Sequence, residues 1–246
     1  MMKKEEIIVR RVEEIGLMEI NNPPHNYLER PDFIKLETIK KFVNTGIKAL
    51  IISGTGRNFS AGANLISIQR QIKDKKQFHE QLIKGNQLLN YLDELDIPVI
   101  AAISGVCFGA GLEIALASDI RYCEKDSIFA FPEVNNDLIP GLGGIRRMIS
   151  ITGKSTALDL ILEGNMINAE KSLELKLVDR IVEKKKVAEY AVTMARKMTI
   201  NRPLKVIQSI MRSVHNAGIL ESEALIREDA RLFTELALDL NGIGEQ

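Results

Sequence analysis

Two glutamates and one turn of small residues are the parts of this 246-residue chain whose types and spacing can do chemistry. Glu113 lies three residues beyond Ala110 in the turn Phe108-Gly109-Ala110-Gly111, and Glu133 comes twenty residues later, directly behind Pro132. The turn follows the apolar run Ile97 to Ile103 and opens into Leu112, Ala115 and Leu116, a pattern that predicts a strand feeding a helix N-terminus. Small residues let a backbone approach a ligand closely, and the N–H groups of a first helical turn point outward with positive partial charge behind them. Such a turn holds an anion, or an oxygen that becomes one during a reaction. Two carboxylates flanking it can divide acid and base work once their environments separate their pKa values.

The elements that must position these residues can be read in order. Ile7 to Val12 and Ile15 to Ile20 predict an antiparallel strand pair, and Asn21 to Asn26 a loop. Helical spacing of Phe33, Ile34, Leu36, Ile39 and Val43 predicts a helix over 31–43, with Pro31 in its first turn. Lys48 to Ser53 reads as a buried strand, which completes a βαβ unit with a parallel sheet. The small-residue run Phe59-Ser60-Ala61-Gly62-Ala63-Asn64-Leu65 follows, with Asn64 as N-cap of a helix to Gln71, then a longer helix from Phe78 to Leu95 and the strand before Gly105. The unit is thus traversed twice with a ligand-friendly turn at the same place each time, so one backbone N–H from each turn can converge on one oxygen. Ile128 to Phe131 predicts a strand ended by Pro132, 135–144 a segment rich in breakers, and helices start at Ile145 and Ser155. Asn168 caps a helix ending near Leu175, Val178 to Val182 closes the sheet, and the chain is helical from Lys186 with breaks at 201–203 and 216–218. The division is a sheet-rich core over 1–182 and a helical region over 183–246.

Composition excludes several classes. With 33 basic and 33 acidic residues, no excess charge draws in nucleic acid or anionic lipid. An apolar content of 45% is enough for a sizeable core. Cys107 and Cys123 read as buried thiols in a reducing compartment, and His25, His79 and His215 have no ligand spacing, so no metal site is expected. The start Met1-Met2-Lys3-Lys4-Glu5-Glu6 lacks the apolar core of a signal peptide and no run is long enough to cross a bilayer, which predicts a soluble cytoplasmic protein. Gly109 to Ile114 fails the dinucleotide fingerprint at its sixth position, and neither a phosphate-binding GxxxxGK[ST] loop nor a GxSxG nucleophile elbow is present.

Together, Phe59 to Leu65, Ile97 to Gly111 with Glu113, Phe131-Pro132-Glu133 and Ile139-Pro140-Gly141-Leu142-Gly143-Gly144 resemble the crotonase (enoyl-CoA hydratase/isomerase) superfamily from about Ile7 to about Phe233. The resemblance implies an α/β spiral of ββα units, with C-terminal helices that usually build trimers and dimers of trimers. It implies an oxyanion hole made by the N–H groups of Ala63 and Ala110, which polarise a thioester carbonyl and stabilise the enolate. It also implies an acyl-CoA groove at Ala61, Gly62, Asn64, Leu65 and Gly109. Coenzyme A would enter as part of the substrate, with no separate cofactor. In hydratases of the family two glutamates cooperate; by that likeness Glu113 activates the attacking water and Glu133 protonates Cα. An isomerase or lyase on an unusual or carrier-bound acyl chain is the enzymatic alternative, and an acyl-thioester-binding scaffold the non-enzymatic one.

The sequence departs from the family pattern in places. Asn64 replaces the usual aspartate, keeping the cap but losing a charge; Ala110 stands where hydratases usually have glycine; Arg57 is a candidate for the cofactor's phosphates. Lys176 stands where a glycine is usual, and a left-handed backbone there would cost about 1 kcal/mol. The sequence ends at Gln246, before the aromatic and basic tail by which many relatives cover CoA, so a weaker hold on CoA is expected.

Overall fold

The first two apolar runs form a hairpin, β1 (Ile7–Val12) and β2 (Ile15–Ile20), in antiparallel register with Ile7 opposite Ile20 and Val12 opposite Ile15. The computed structural model describes residues 5–238. Helix α1 (Leu36–Val43) leads to β3 (Ala49–Gly54), which pairs parallel with β2. Next come α2 (Leu65–Gln71), α3 (Lys75–Asp93), β4 (Val99–Ile103) and β5 (Val106–Phe108). They are followed by α4 (Ala110–Leu116), β6 (Ile120–Glu124), β7 (Ile128–Ala130) and a 3-10 turn at Pro132–Asn136. The chain continues through α5 (Gly144–Thr152), α6 (Lys154–Glu163), β8 (Ile167–Asn168), α7 (Ala169–Glu174) and β9 (Arg180–Val182). It finishes with α8 (Val187–Thr199), α9 (Leu204–Ala217) and α10 (Ser222–Leu238).

Two sheets result. The larger has the order β1-β2-β3-β4-β6-β9, all parallel beyond the first hairpin, and the smaller has the order β5-β7-β8. Each turn of the chain lays one strand in the large sheet, bends, and lays a shorter one in the small layer before a helix. Gly105, at φ 53°, makes one such bend between β4 and β5; a Cβ there would stand 2.4 Å from the Arg57 carbonyl oxygen. Single bridges from Leu28 to Ala63 and from Ser60 to Cys107 extend the small layer toward the N-terminus. This is the expected spiral of ββα units.

The large sheet is buried on both faces, which is why β4 reads as an unbroken apolar run. Leu50, Ile52, Val99, Ala101 and Ile103 face the main core under the helices that follow each strand. Ala49, Ile51, Ile100 and Ala102 face the other way and are covered by a stripe of Val187, Ala191 and Ala195 on α8. Helix α8, beyond the expected division at residue 182, therefore closes the second face of the sheet. Cys107 and Cys123 are both buried free thiols.

Three local expectations change. The first helix starts at Leu36 rather than residue 31, because Lys35 is extended and Phe33 reaches the core from non-helical backbone. Helix α3 starts earlier than expected, at Lys75, where the Asp74 side chain accepts from the Gln77 N–H. Strands β5 and β6 appear where the pattern predicted only a turn and the end of a helix. The helical expectation beyond Leu238 and the reading of Met1 to Lys4 lie outside the described residues. Among the described residues no helix is long and apolar enough to cross a membrane.

Lys176 ends α7 at φ 60°, and the N–H groups of Lys176 and Leu177 turn back to the Leu173 and Ser172 carbonyls. Lys176→Gly relieves a left-handed side-chain clash and adds some unfolded-chain entropy. It is expected to raise stability by about 0.5–1 kcal/mol in urea unfolding.

Candidate active site

Every residue of α4 is buried, including Glu113. Small residues allow this: a Cβ on Gly111 would stand 2.7 Å from the Ser60 Cβ and 2.8 Å from its carbonyl oxygen, so glycine lets the helix lie directly on the Ser60 strand. A carboxylate on such a helix must be met by donors. The Glu113 side chain accepts at Oε1 from the N–H of Leu142 at 2.7 Å and of Gly144 at 2.8 Å.

Those two amides belong to a loop that is itself held from behind. Arg147, only 3% exposed, donates Nη1 to the Leu142 carbonyl at 2.9 Å, Nε to Asp93 at 2.9 Å and Nη2 to Asn90 at 3.0 Å. Asn86 donates to the Gly141 carbonyl at 2.8 Å. Gly143, at φ 86°, leaves the room Arg147 needs, since a Cβ there would lie 2.7 Å from Nη1. One polar face of α3, Asn86, Asn90 and Asp93, thus fixes the loop that fixes Glu113.

Glu133 sits on the first turn of the 3-10 segment, half-buried, with its Oε1 2.6 Å from where a Cβ on Gly109 would lie. Its Oε2 is buried and has no hydrogen-bond partner among the described residues. Both carboxyls are pushed up from 4.5 to about 7, in each case first of all by burial. At Glu113 the amides of Gly144 and Leu142 and the charge of Arg147 oppose that push, whereas Glu133 has its own amide and is raised further by the charge of Glu113.

Two backbone amides of the neighbouring loops have no acceptor among the described residues. Across the Leu28–Ala63 bridge, Leu28 donates to the Gly62 carbonyl and accepts from the Asn64 N–H, both at 2.9 Å, so the N–H of Ala63 itself is directed away from Leu28. Ala110 is the first residue of α4, where the helix supplies no acceptor for its N–H. The neighbouring amides are committed: Ala61 to His25, Gly62 to the Ser60 hydroxyl, Gly109 to Ala130. Gly62 brings the two loops together, because a Cβ there would stand 3.4 Å from the Ala110 nitrogen.

These groups line one cavity of about 760 Å³. Ala61, Gly62, Ala63, Asn64, Leu65, Gly109, Ala110, Glu113 and Glu133, the candidate catalytic, oxyanion-hole and groove residues, lie on its wall. Arg57 is exposed and does not. The Asn64 side chain serves the protein, capping α2 through the Ile66 and Ser67 N–H groups and donating to Glu29. Sequence reasoning missed the Leu142 and Gly144 donors, Arg147, Glu29, and the part of the apolar wall formed by Leu82 of α3 with Leu142. The one available signal was the row Asn86, Asn90, Asp93, a polar face at helical spacing on an otherwise core-facing helix.

The fold and this pair of carboxylates define a class, and comparison with known proteins agrees. The family model for enoyl-CoA hydratase/isomerase matches residues 10–240, and the chain belongs to that family, the crotonase superfamily. It is 30% identical over 224 residues to the probable enoyl-CoA hydratase of Bacillus subtilis, covering 90% of this chain and 86% of that protein. It is also 30% identical over 235 residues to the 2,3-dehydroadipyl-CoA hydratase of Escherichia coli, covering 94% and 90%. The solved structure of Pseudomonas aeruginosa DspI superposes with a TM-score of 0.86 at 28% identity, covering 96% of this chain and 97% of that one.

Gly109→Ala tests the geometry: its methyl group meets Glu133 and its φ of 49° is strained. Displacement of Glu133 is expected to lower kcat by about 100-fold in whatever reaction the site performs, with circular dichroism unchanged.

Proposed function

We propose that this chain is an enoyl-CoA hydratase, adding water syn across the double bond of a 2-enoyl-CoA. The observation that carries this reading is the unequal pair, Glu113 anchored by two amides and Glu133 by none from elsewhere, on the wall of one cavity with the Ala63 and Ala110 amides. Those amides hold the thioester oxygen as negative charge develops on it. Glu113, as carboxylate, takes a proton from the water whose oxygen bonds to the substrate Cβ. Glu133, as acid, gives its proton to Cα, and the reverse sequence dehydrates a 3-hydroxyacyl thioester. Coenzyme A enters with the substrate and the steps call on no other cofactor. The relatives in Bacillus subtilis and Escherichia coli, both named as hydratases, support the choice over isomerisation. Exposed apolar side chains on α9 and α10, Ile210, Val214, Ile226 and Phe233, suit burial against further copies in a trimer or dimer of trimers.

The test follows the loss of the conjugated enoyl-thioester absorbance with crotonyl-CoA and a longer 2-enoyl-CoA. Wild type is expected to turn over, and Glu133→Gln to lose at least about 100-fold in kcat. Retained exchange of the Cα proton without hydration would move the assignment to an isomerase, and wild-type-like hydration by the variant would overturn the two-glutamate scheme.

Two pH dependences accompany it. Activity needs Glu113 ionised and Glu133 protonated, so kcat/KM is expected to peak near pH 7 and fall on both sides. Folding stability behaves differently. Both folded pKa values lie above the unfolded ones, so the folded state binds more protons between pH 4.5 and about 7; stability is full below that window and falls as pH rises through it. Glu133→Gln removes one of the two groups, so its stability advantage over wild type is expected to grow from pH 4.5 to 7 in denaturant titrations.

A further inference from the structure

Glu29 lines the same cavity and is tied by hydrogen bonds to Glu6 and to α2 with its cap. Its N–H donates to Glu6 Oε1 at 2.7 Å, and its carbonyl accepts from Gln71 Nε2 at 2.7 Å. Its carboxylate accepts from Asn64 Nδ2 at 2.9 Å through one oxygen and from the Ser67 hydroxyl through the other. Asn64 is the residue after Ala63. Its amide group works in both directions, the oxygen accepting from the Ile66 and Ser67 N–H groups at 3.0 and 3.3 Å while the nitrogen donates to Glu29. The peptide carrying the Ala63 N–H therefore lies between a backbone bridge to Leu28 and a side chain locked by Glu29, Leu28's own neighbour.

We propose that Glu29, acting through Asn64, is a positioning residue that aims the Ala63 amide at the substrate oxygen. This rests on the hydratase reading for the role of Ala63. The pair is complementary because only one member is charged. Aspartate at position 64 would still cap α2, but its second oxygen would face the Glu29 carboxylate at hydrogen-bond distance, where two negative charges repel. Glutamine at 29 with aspartate at 64 reverses donor and acceptor. That double change keeps the hydrogen bonds among residues 29, 64 and 67 and the net charge of the pair.

The experiment compares wild type, Asn64→Asp and the double variant Glu29→Gln/Asn64→Asp by two measurements. The first is kcat and KM for hydration of a 2-enoyl-CoA. The second needs no turnover: the near-ultraviolet absorbance of bound acetoacetyl-CoA, whose enolate fraction reports stabilisation of the thioester oxyanion. Asn64→Asp is expected to lose about tenfold or more in kcat with KM within about threefold, and to lower the enolate fraction. The double variant is expected to recover most of both. A role confined to capping α2 would leave kcat and enolate fraction of Asn64→Asp at wild-type levels, and that result overturns the proposal, as does a double variant no better than the single one.

If Asn64→Asp does not fold, Ser67→Ala removes one tie from Glu29 while leaving Asn64 in place. It is expected to move both readouts in the same direction, less far, and an unchanged enolate fraction there counts against the proposal. A wild type that forms the enolate yet hydrates no enoyl thioester would refute the hydratase reading alone, whereas a wild type without any enolate signal would refute the positioning role.

Discussion

A carboxylate buried on a helix with no solvent-facing side is the constraint from which most of this structure follows. Glu113 cannot be left in the core without donors, and the donors have to come from backbone that is itself held still. The Gly141–Gly144 loop meets that need because Arg147 and Asn86 hold its carbonyls, and because Asp93 and Asn90 of α3 hold Arg147 in turn. Arg147 is a buried charge, so it too must be satisfied on all sides, and each of its three bonds goes to something already anchored. The pH behaviour of the site comes from the same chain of supports: the amides of Gly144 and Leu142 pull the Glu113 pKa down against burial, whereas Glu133 has only its own amide.

The spiral places these groups without long loops. Each turn of the chain ends its large-sheet strand at a bend, crosses to the small layer and enters a helix, so successive bends stack beside one another. The Ala63 and Ala110 amides come from two such turns, and the Glu113 and Glu133 carboxylates from the second and third. Glycines at 62, 105 and 109 occur where one backbone must pass within contact of the next or beside the Glu133 carboxylate. The Ala63 and Ala110 N–H groups, being main chain, are fixed by the path of the strands.

What was legible in the sequence was local. Gly109, Ala110, Glu113 and Glu133 belong to one strand-turn-helix-strand passage whose pattern shows where each must sit, and Ala63 lies in a matching passage one turn earlier. Asn64 as a cap and Lys176 as a left-handed residue depend on neighbours within a few positions, and both are found as expected. The partners of these residues were not legible. Gly144 reaches Glu113 across 31 positions, Asn64 reaches Glu29 across 35 and Arg147 reaches Asp93 across 54, and no periodicity encodes such pairs. Strand β5 was missed because three residues are too few for alternation to register, and α1 was drawn too long because Phe33 and Ile34 fall on helical spacing while reaching the core from extended backbone.

The order of the large sheet follows the order of synthesis: each strand from β2 through β4, β6 and β9 adds to the growing edge. The lid on its second face, α8, is made only after β9. A sheet that assembled before α8 was in place would leave Ile15, Leu17, Ile51 and Ile100 facing open water. The window between the last strand and the last covering helix is therefore the stage at which this protein most needs a chaperone, and at which self-association competes with folding.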